Sequence, residues 1–218
     1  MKPFVLINFK TYKESFGKRA LALAKEIAKV KKSRYDIAVA PSLLTLQKIA
    51  EQTSLKVFSQ HGDNVSFGAH TGSIPVDELV NLGVKGVLLN HSEKKLPADI
   101  LGRTILLCKN KGLTAVACAS SLAEIRKVAE FCPHFIAYEP KELIGGNISV
   151  TEAKPEIIVE AVDLVKKTCP KTRLLCGAGV HSKEDLGHAL LLGAEGVLMG
   201  HAVATAKHPA QFLKEMLM

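Results

Sequence analysis

The chain has 218 residues, of which 47% are hydrophobic and 23% charged, and this globular balance excludes a disordered or fibrous polypeptide. The formal charge of +8 raises nucleic-acid binding, but the cations are dispersed, and three Tyr with no Trp are too few for a base-stacking surface. A modest positive field that attracts a small anionic substrate fits this dispersal better, with a solvated basic surface of no particular role as the plainer reading.

The first apolar run, Phe4 to Ile7, is stopped by Asn8 and Lys10. It is too short to span a membrane and no small-residue cleavage site follows, so it predicts a buried strand. Arg19–Val30 places Leu21, Ala24, Ile27 and Ala28 on one helical side, and Lys29, Lys31, Lys32 and Arg34 gather at its end, where the helix dipole favours cations. Ile37–Ala40 predicts a second strand, and Ser42 is a candidate cap for a helix over Leu43–Glu51. Lys56–Ser59 is the third strand; Val65–Ile74 after it is loop-like, and the helix Val76–Leu82 is short. Val87–Leu89 and Thr114–Ala117 are the fourth and fifth strands, with Ser121 opening a helix over Leu122–Phe131. After Phe135–Tyr138, a long helical stretch runs from Thr151 to Lys167, with Pro155 in its first turns, where proline is tolerated. Arg173–Cys176 is the seventh strand. Ser182, Glu184 and Asp185 start a helix that continues through Leu186–Leu192 and stops at Gly193. Val197–Met199 is the eighth strand, and Pro209–Leu217 is the last helix.

The strands are apolar rather than alternating, as in a parallel sheet buried on both faces. Eight strand–helix units are the number that closes a (β/α)8 barrel, which would use residues 1–218 as one domain; an open doubly wound sheet is the rival. Five cysteines, an odd number with no Cys-x-x-Cys and mostly apolar neighbours, point to free thiols in a reducing cytoplasm.

In such a barrel the chemistry lies just past the strand ends. Those positions hold Asn8-Phe9-Lys10, Asn90-His91-Ser92-Glu93, Tyr138-Glu139-Pro140, Gly177-Ala178-Gly179 and Gly200-His201-Ala202. Each has a bland reading: a solvated strand-end lysine, a capping histidine, a loop carboxylate, ordinary glycine turns. Together on one rim they suit proton abstraction beside a carbonyl, with Glu139 as base, His91 as the donor that polarises the carbonyl and Lys10 as the cation for developing charge. The glycine turns after the last two strands expose backbone N–H groups, as phosphate sites of such barrels do. His61-x-Asp63 lacks a third ligand by spacing, so a metal site is not expected there.

Asn8-x-Lys10, His91-Ser92-Glu93, Tyr138-Glu139-Pro140 and Leu143-Ile144-Gly145 resemble, in order, the motifs of the triosephosphate isomerases, nearly end to end. Gln60-His61, Gly177-Ala178-Gly179 and Ala153-Lys154-Pro155 resemble the compact archaeal branch. The resemblance implies an isomerase of glycolysis and gluconeogenesis that interconverts D-glyceraldehyde 3-phosphate and dihydroxyacetone phosphate through an enediolate, with no metal and no organic cofactor. It implies Glu139 as the proton shuttle, and His91 as a neutral imidazole on the carbonyl, a role for which this family is the standing example. Lys10 would hold the substrate beside Asn8, with Glu93 in the supporting network. Pro140 to Gly146 would form the lid, for which the family is again a standing example. Ile144, Gly145, Gly177, Gly179, Gly200 and His201 would line the phosphate. Thr71 resembles the loop tip that enters a neighbouring subunit, implying a homo-oligomer, dimer or tetramer, with no nucleic acid or membrane partner. Two departures stand out. Ile144-Gly145-Gly146-Asn147 replaces the usual Ile-Gly-Thr-Gly of the lid. His201 and Ala202 stand where smaller residues and a glycine are usual. The rivals are another phosphate-binding barrel, such as a sugar-phosphate epimerase or a tryptophan-pathway enzyme, and a non-catalytic oligomeric binding protein on the same fold.

Overall fold

The computed structural model describes residues 2–30, 34–144 and 149–218. Lys31 and Lys32, two of the expected helix-end cations, lie outside them. Strands and helices alternate: β1 (Phe4–Asn8), α1 (Lys18–Ala28), β2 (Asp36–Ala40), α2 (Leu43–Gln52), β3 (Lys56–Ser59), α3 (Val76–Asn81), β4 (Gly86–Leu89) and α4 (Ala98–Asn110). They continue with β5 (Thr114–Ala119), α5 (Leu122–Ala129), β6 (Phe135–Tyr138), α6 (Val150–Ala153), α7 (Pro155–Thr168), β7 (Arg173–Cys176), α8 (Lys183–Leu191), β8 (Gly196–Met199), α9 (His201–Ala204) and α10 (Pro209–Leu217). Each strand pairs in parallel with the next, and β1 also pairs with β8, in the register Phe4 opposite Gly196. The sheet is therefore a closed (β/α)8 barrel, and the open sheet is excluded.

Two separate apolar clusters explain why the strands show no polar alternation. One contains only strand residues, among them Phe4, Leu6, Phe58, Leu88, Phe135 and Leu198, and fills the barrel. The other joins the remaining strand residues, such as Val5, Ile7, Val87 and Val197, to the helix faces that carry Ala24, Ile27, Ile105 and Val165. At the base of the barrel, Phe4 stacks on Phe135 at 4.7 Å and meets Phe58 at 5.6 Å, and the Arg173 guanidinium lies 4.0 Å over the Phe135 ring.

Local signals decide the element ends. The Ser182 side chain accepts the Asp185 N–H while the Asp185 carboxylate accepts the Ser182 N–H, a complete capping box at the start of α8. Gly193, at φ +94°, ends that helix, and Ala194 N–H donates back to Ala189. Three expectations need correction. Ser42 sits at the N-cap of α2, but its hydroxyl engages Thr45 Oγ1 at 3.3 Å and caps no backbone N–H. The stretch from Thr151 to Lys167 is two helices, because Pro155 forces Lys154 out of helical geometry (φ −149°, ψ 56°). The cysteines are not all free thiols: Cys132 and Cys169 form a disulfide, while Cys108, Cys118 and Cys176 are buried thiols. α5 packs beside α7, so the loops that end these helices meet at the base of the barrel, a contact that a separation of 37 residues conceals. No helix among the described residues is long and apolar enough to cross a membrane.

Two outcomes follow. The seam between β8 and β1 has no room for a side chain, because a Cβ on Gly196 (φ +150°) would lie 1.9 Å from the Phe4 carbonyl oxygen. Gly196→Ala is expected to cost about 3 kcal/mol or more of stability, combining overpacking with an unfavourable φ; equilibrium urea unfolding measures it. Reduction of Cys132–Cys169 is expected to remove about 3 kcal/mol by freeing the unfolded chain; a Cys132→Ser variant should unfold at the lowered midpoint with or without dithiothreitol.

Candidate active site

Parallel closure puts the C-terminal ends of all the strands on one rim. Lys10, His91 and Glu139 all stand there, past β1, β4 and β6. Lys10 has the left-handed φ of +46°, which is unfavourable for a side-chain-bearing residue and is held by its neighbours. Its N–H donates to Asn8 Oδ1 at 3.0 Å, and Gln60 Nε2 donates to its carbonyl at 3.1 Å and to the Ala40 carbonyl at 2.9 Å. The Lys10 ammonium, whose side chain is only 13% exposed, lies 2.7 Å from Glu93 Oε1. The backbone and the ion pair together aim one cation into the rim.

His91 and Glu139 are both buried. His91 Nδ1 accepts the Glu93 N–H at 3.2 Å, which assigns the proton of the neutral ring to Nε2. His91 Nε2 stands 3.5 Å from Glu139 Oε1, too far for a good hydrogen bond. Among the described residues, the buried side-chain polar atoms without a partner are His91 Nε2 and Glu139 Oε2. Buried orphans are costly, and two facing groups left this way mark a place built for something else to bond. The backbone just past β7 leaves room for Glu139 because a glycine stands there: a Cβ on Gly177 would come within 2.4 Å of Glu139 Cγ. Below it, burial first and then the Glu139 carboxylate push the Cys118 thiol well above its usual range, so the thiol keeps its proton.

The cleft between these groups is lined on one side by Asn8, Lys10, Glu139, Ile144, Gly177 and Gly179, with Gly200 and His201 closing that end. A second hollow adjoins it across Asn8 and Lys10, on the side of His91, Glu93 and Gln60. Most of the expected residues are therefore gathered at one place. Gly145, and with it Gly146 and Asn147, lies outside the described residues. The described start of that segment is a single 3-10 turn over Lys141–Leu143, tied to the α6–α7 break by the Glu142–Lys154 ion pair. Thr71 stands apart, on an exposed loop. His61 Nε2 bonds Asp63 Oδ1 at 3.0 Å, and among the described residues no group of three or more His, Cys, Asp or Glu is placed to hold a metal ion.

Sequence reasoning overlooked some of the lining. Tyr12 meets the His201 ring edge-on at 5.6 Å, and His181 lines the same end of the cleft, its Nδ1 2.6 Å from Asp185 Oδ2. Both follow strand ends closely, which was the available signal. Gln60 entered through the Gln60-His61 resemblance alone, with nothing in the sequence to show that its amide would clamp the backbone of Lys10.

A family model described as triosephosphate isomerase matches residues 3–216. The chain is similar to the triosephosphate isomerase of Archaeoglobus fulgidus, with 43% identity over 215 residues that cover 98% of this chain and 96% of that protein. It is 41% identical to that of Methanocaldococcus jannaschii over 214 residues, 98% of each chain. The triosephosphate isomerase of Methanobrevibacter smithii is 37% identical over 216 residues, 99% of this chain and 97% of that protein. Barrel closure, the opposed His91 and Glu139, and similarity along almost the whole length agree: the chain belongs to the triosephosphate isomerase family.

Proposed function

We infer that this protein interconverts D-glyceraldehyde 3-phosphate and dihydroxyacetone phosphate by moving one proton between adjacent carbons. The observation that carries the reading is the pair of buried, unpartnered atoms on His91 and Glu139 at the rim. Glu139 Oε2 takes the proton from the carbon beside the carbonyl and returns it to the neighbouring carbon. His91 Nε2–H donates to the carbonyl oxygen, since its Nδ1 is already engaged by the Glu93 N–H. Lys10 lies close enough to the same cleft to stabilise the enediolate charge, and Glu93 keeps its ammonium in place. Preorganised charges in a buried site act strongly because little water screens them. The phosphate is assigned to the other end of the cleft, at the backbone of Gly177, Gly179, Gly200 and His201, with Ile144 lining the same end. Asn8 braces Lys10 between the two halves. This is proton-transfer chemistry between neighbouring carbons with Glu139 as the base, whereas an epimerase would need acid–base groups on opposite faces of one carbon.

A homo-oligomer is part of this proposal. Residues 66–72 are exposed on one loop, with Phe67 at 79%, an apolar tip held away from its own barrel. The hollow beside Lys10 and Glu93 is a fitting receptacle for the tip of a second copy, with Thr71 reaching its polar groups. We place the protein in the cytoplasm, where charged triose phosphates are retained.

Glu139→Gln is expected to lose about 10²–10⁴-fold in kcat with its fold intact, the range of a positioned base. A coupled assay of both directions, with circular dichroism on the same preparations, measures this; full activity in the variant would refute Glu139 as base. Thr71→Arg, expected to clash and repel in the receptacle, should yield smaller particles by analytical ultracentrifugation and lower turnover; unchanged size and rate would refute the docking of this loop.

A further inference from the structure

The turn that carries His91 is held from outside the site by one carboxylate. Asn90 precedes His91 in the left-handed region, at φ +57°. Lys94 N–H closes the turn on the His91 carbonyl at 2.8 Å. Both flanks of the turn reach the same oxygen of Glu124 on α5: Asn90 Nδ2 at 2.9 Å and Lys95 Nζ at 2.6 Å. The other Glu124 oxygen accepts the Ser120 N–H at 2.7 Å and the Ser120 hydroxyl at 2.8 Å, which anchors the carboxylate to the end of β5. Asn90 completes the clamp, donating to the Cys118 carbonyl at 2.9 Å and accepting the Leu96 N–H at 3.0 Å.

We propose that Glu124 is a positioning residue for the isomerisation, setting where the His91 imidazole stands opposite Glu139 by gripping both ends of the 90–95 turn. It touches no substrate. Among the described residues, the hydrogen bond on the His91 ring is the Glu93 N–H, which fixes the tautomer but travels with the same turn. The location of the turn is set by bonds to β5 and α5, and Glu124 supplies those at both flanks. Burial would raise the Glu124 carboxyl, but the Lys95 ammonium, the Ser120 N–H, the Asn90 amide and the Ser120 hydroxyl outweigh it and hold it at about 2. The acceptor is thus a full carboxylate throughout the neutral range. Glutamine has the same shape but presents an –NH2 where one of the two donor sets must bond, so the clamp opens at one side. A displaced imidazole loses alignment with the reacting carbonyl, whereas the phosphate end of the cleft is built from other elements.

This proposal rests on the isomerase reading of the site, and the experiment separates the two. Kinetics of wild type, Glu124→Gln and Ile125→Val are compared, with 15N NMR of the His91 ring in each; Ile125 is a fully buried neighbour on α5 and serves as a stability control. Glu124→Gln is expected to lower kcat about tenfold with KM within about twofold and to shift the His91 resonances, the effect of a small misplacement of a catalytic group. Ile125→Val should lose stability and keep both kcat and the His91 signals. A Glu124→Gln kcat within about threefold of wild type, or a fall with His91 resonances unmoved, overturns the positioning role. Absence of turnover in the wild type would instead overturn the isomerase reading, and the His91 resonances would still test the positioning. Should Glu124→Gln not fold, Lys95→Met opens the solvent side of the clamp and is judged by the same criteria.

Discussion

The rim exists because β8 can lie against β1. That seam allows two backbones to approach at Phe4 and Gly196 with nothing between them. An open parallel sheet of the same strands would leave two unpaired edges and spread the strand ends along a line. Closure bends that line into a ring, so Lys10 on the first strand end and His201 after the last become neighbours around one cleft. The filling of the barrel is matched to this closure. Three phenylalanines, Phe4, Phe58 and Phe135, meet at the base, and Leu6, Leu88, Leu175 and Leu198 complete the interior with the alanines at 38, 40 and 137.

At the rim, two residues with side chains are held in a conformation that favours glycine. Lys10 and Asn90 both have positive φ, and each adjoins or supplies a group of the proposed chemistry. Such strain persists only where the surroundings over-determine it. For Lys10 the constraint is a pair of amides, Asn8 from its own strand end and Gln60 from the third. For Asn90 it is the carboxamide network to Cys118, Glu124 and Leu96. Polar side chains on neighbouring strands thus fix the backbone on which a cation and an imidazole ride, and the apolar core stabilises the scaffold beneath.

The strands were legible because each is a short apolar run, and the runs at 56–59, 135–138 and 173–176 coincide with the observed strands. Ser182 and Gly193 announced the ends of α8 because capping chemistry is local. The break before Pro155 was misjudged, although the same local rule predicts it: proline is tolerated in a first helical turn, but the residue ahead of it leaves the helix. Ser42 shows the limit of such rules, since a hydroxyl with two possible partners chose Thr45. The disulfide and the Gln60 clamp were beyond reach for a different reason. Each joins segments far apart in sequence, and composition carries no record of which loops a closed barrel brings together. The rim residues were found because strand ends are a place as well as a sequence feature, while Glu124 was hidden on a helix whose acid reads as an ordinary first-turn charge.

The surplus of positive charge gains meaning from where the cations are committed. Lys56, Lys95, Lys111 and Lys154 each meet an acid, so much of the basic surface is locally balanced. Lys10 is also paired, but its partner Glu93 is 58% exposed whereas the Lys10 side chain is largely sheltered. The two charges are therefore solvated unequally. Water stabilises Glu93 whether or not it keeps the ammonium, while Lys10 has little solvent to lose when a phosphorylated anion enters. In the proposed reaction, a cation sheltered in this way meets new negative charge without first being stripped of water, which is the condition under which electrostatic stabilisation is large.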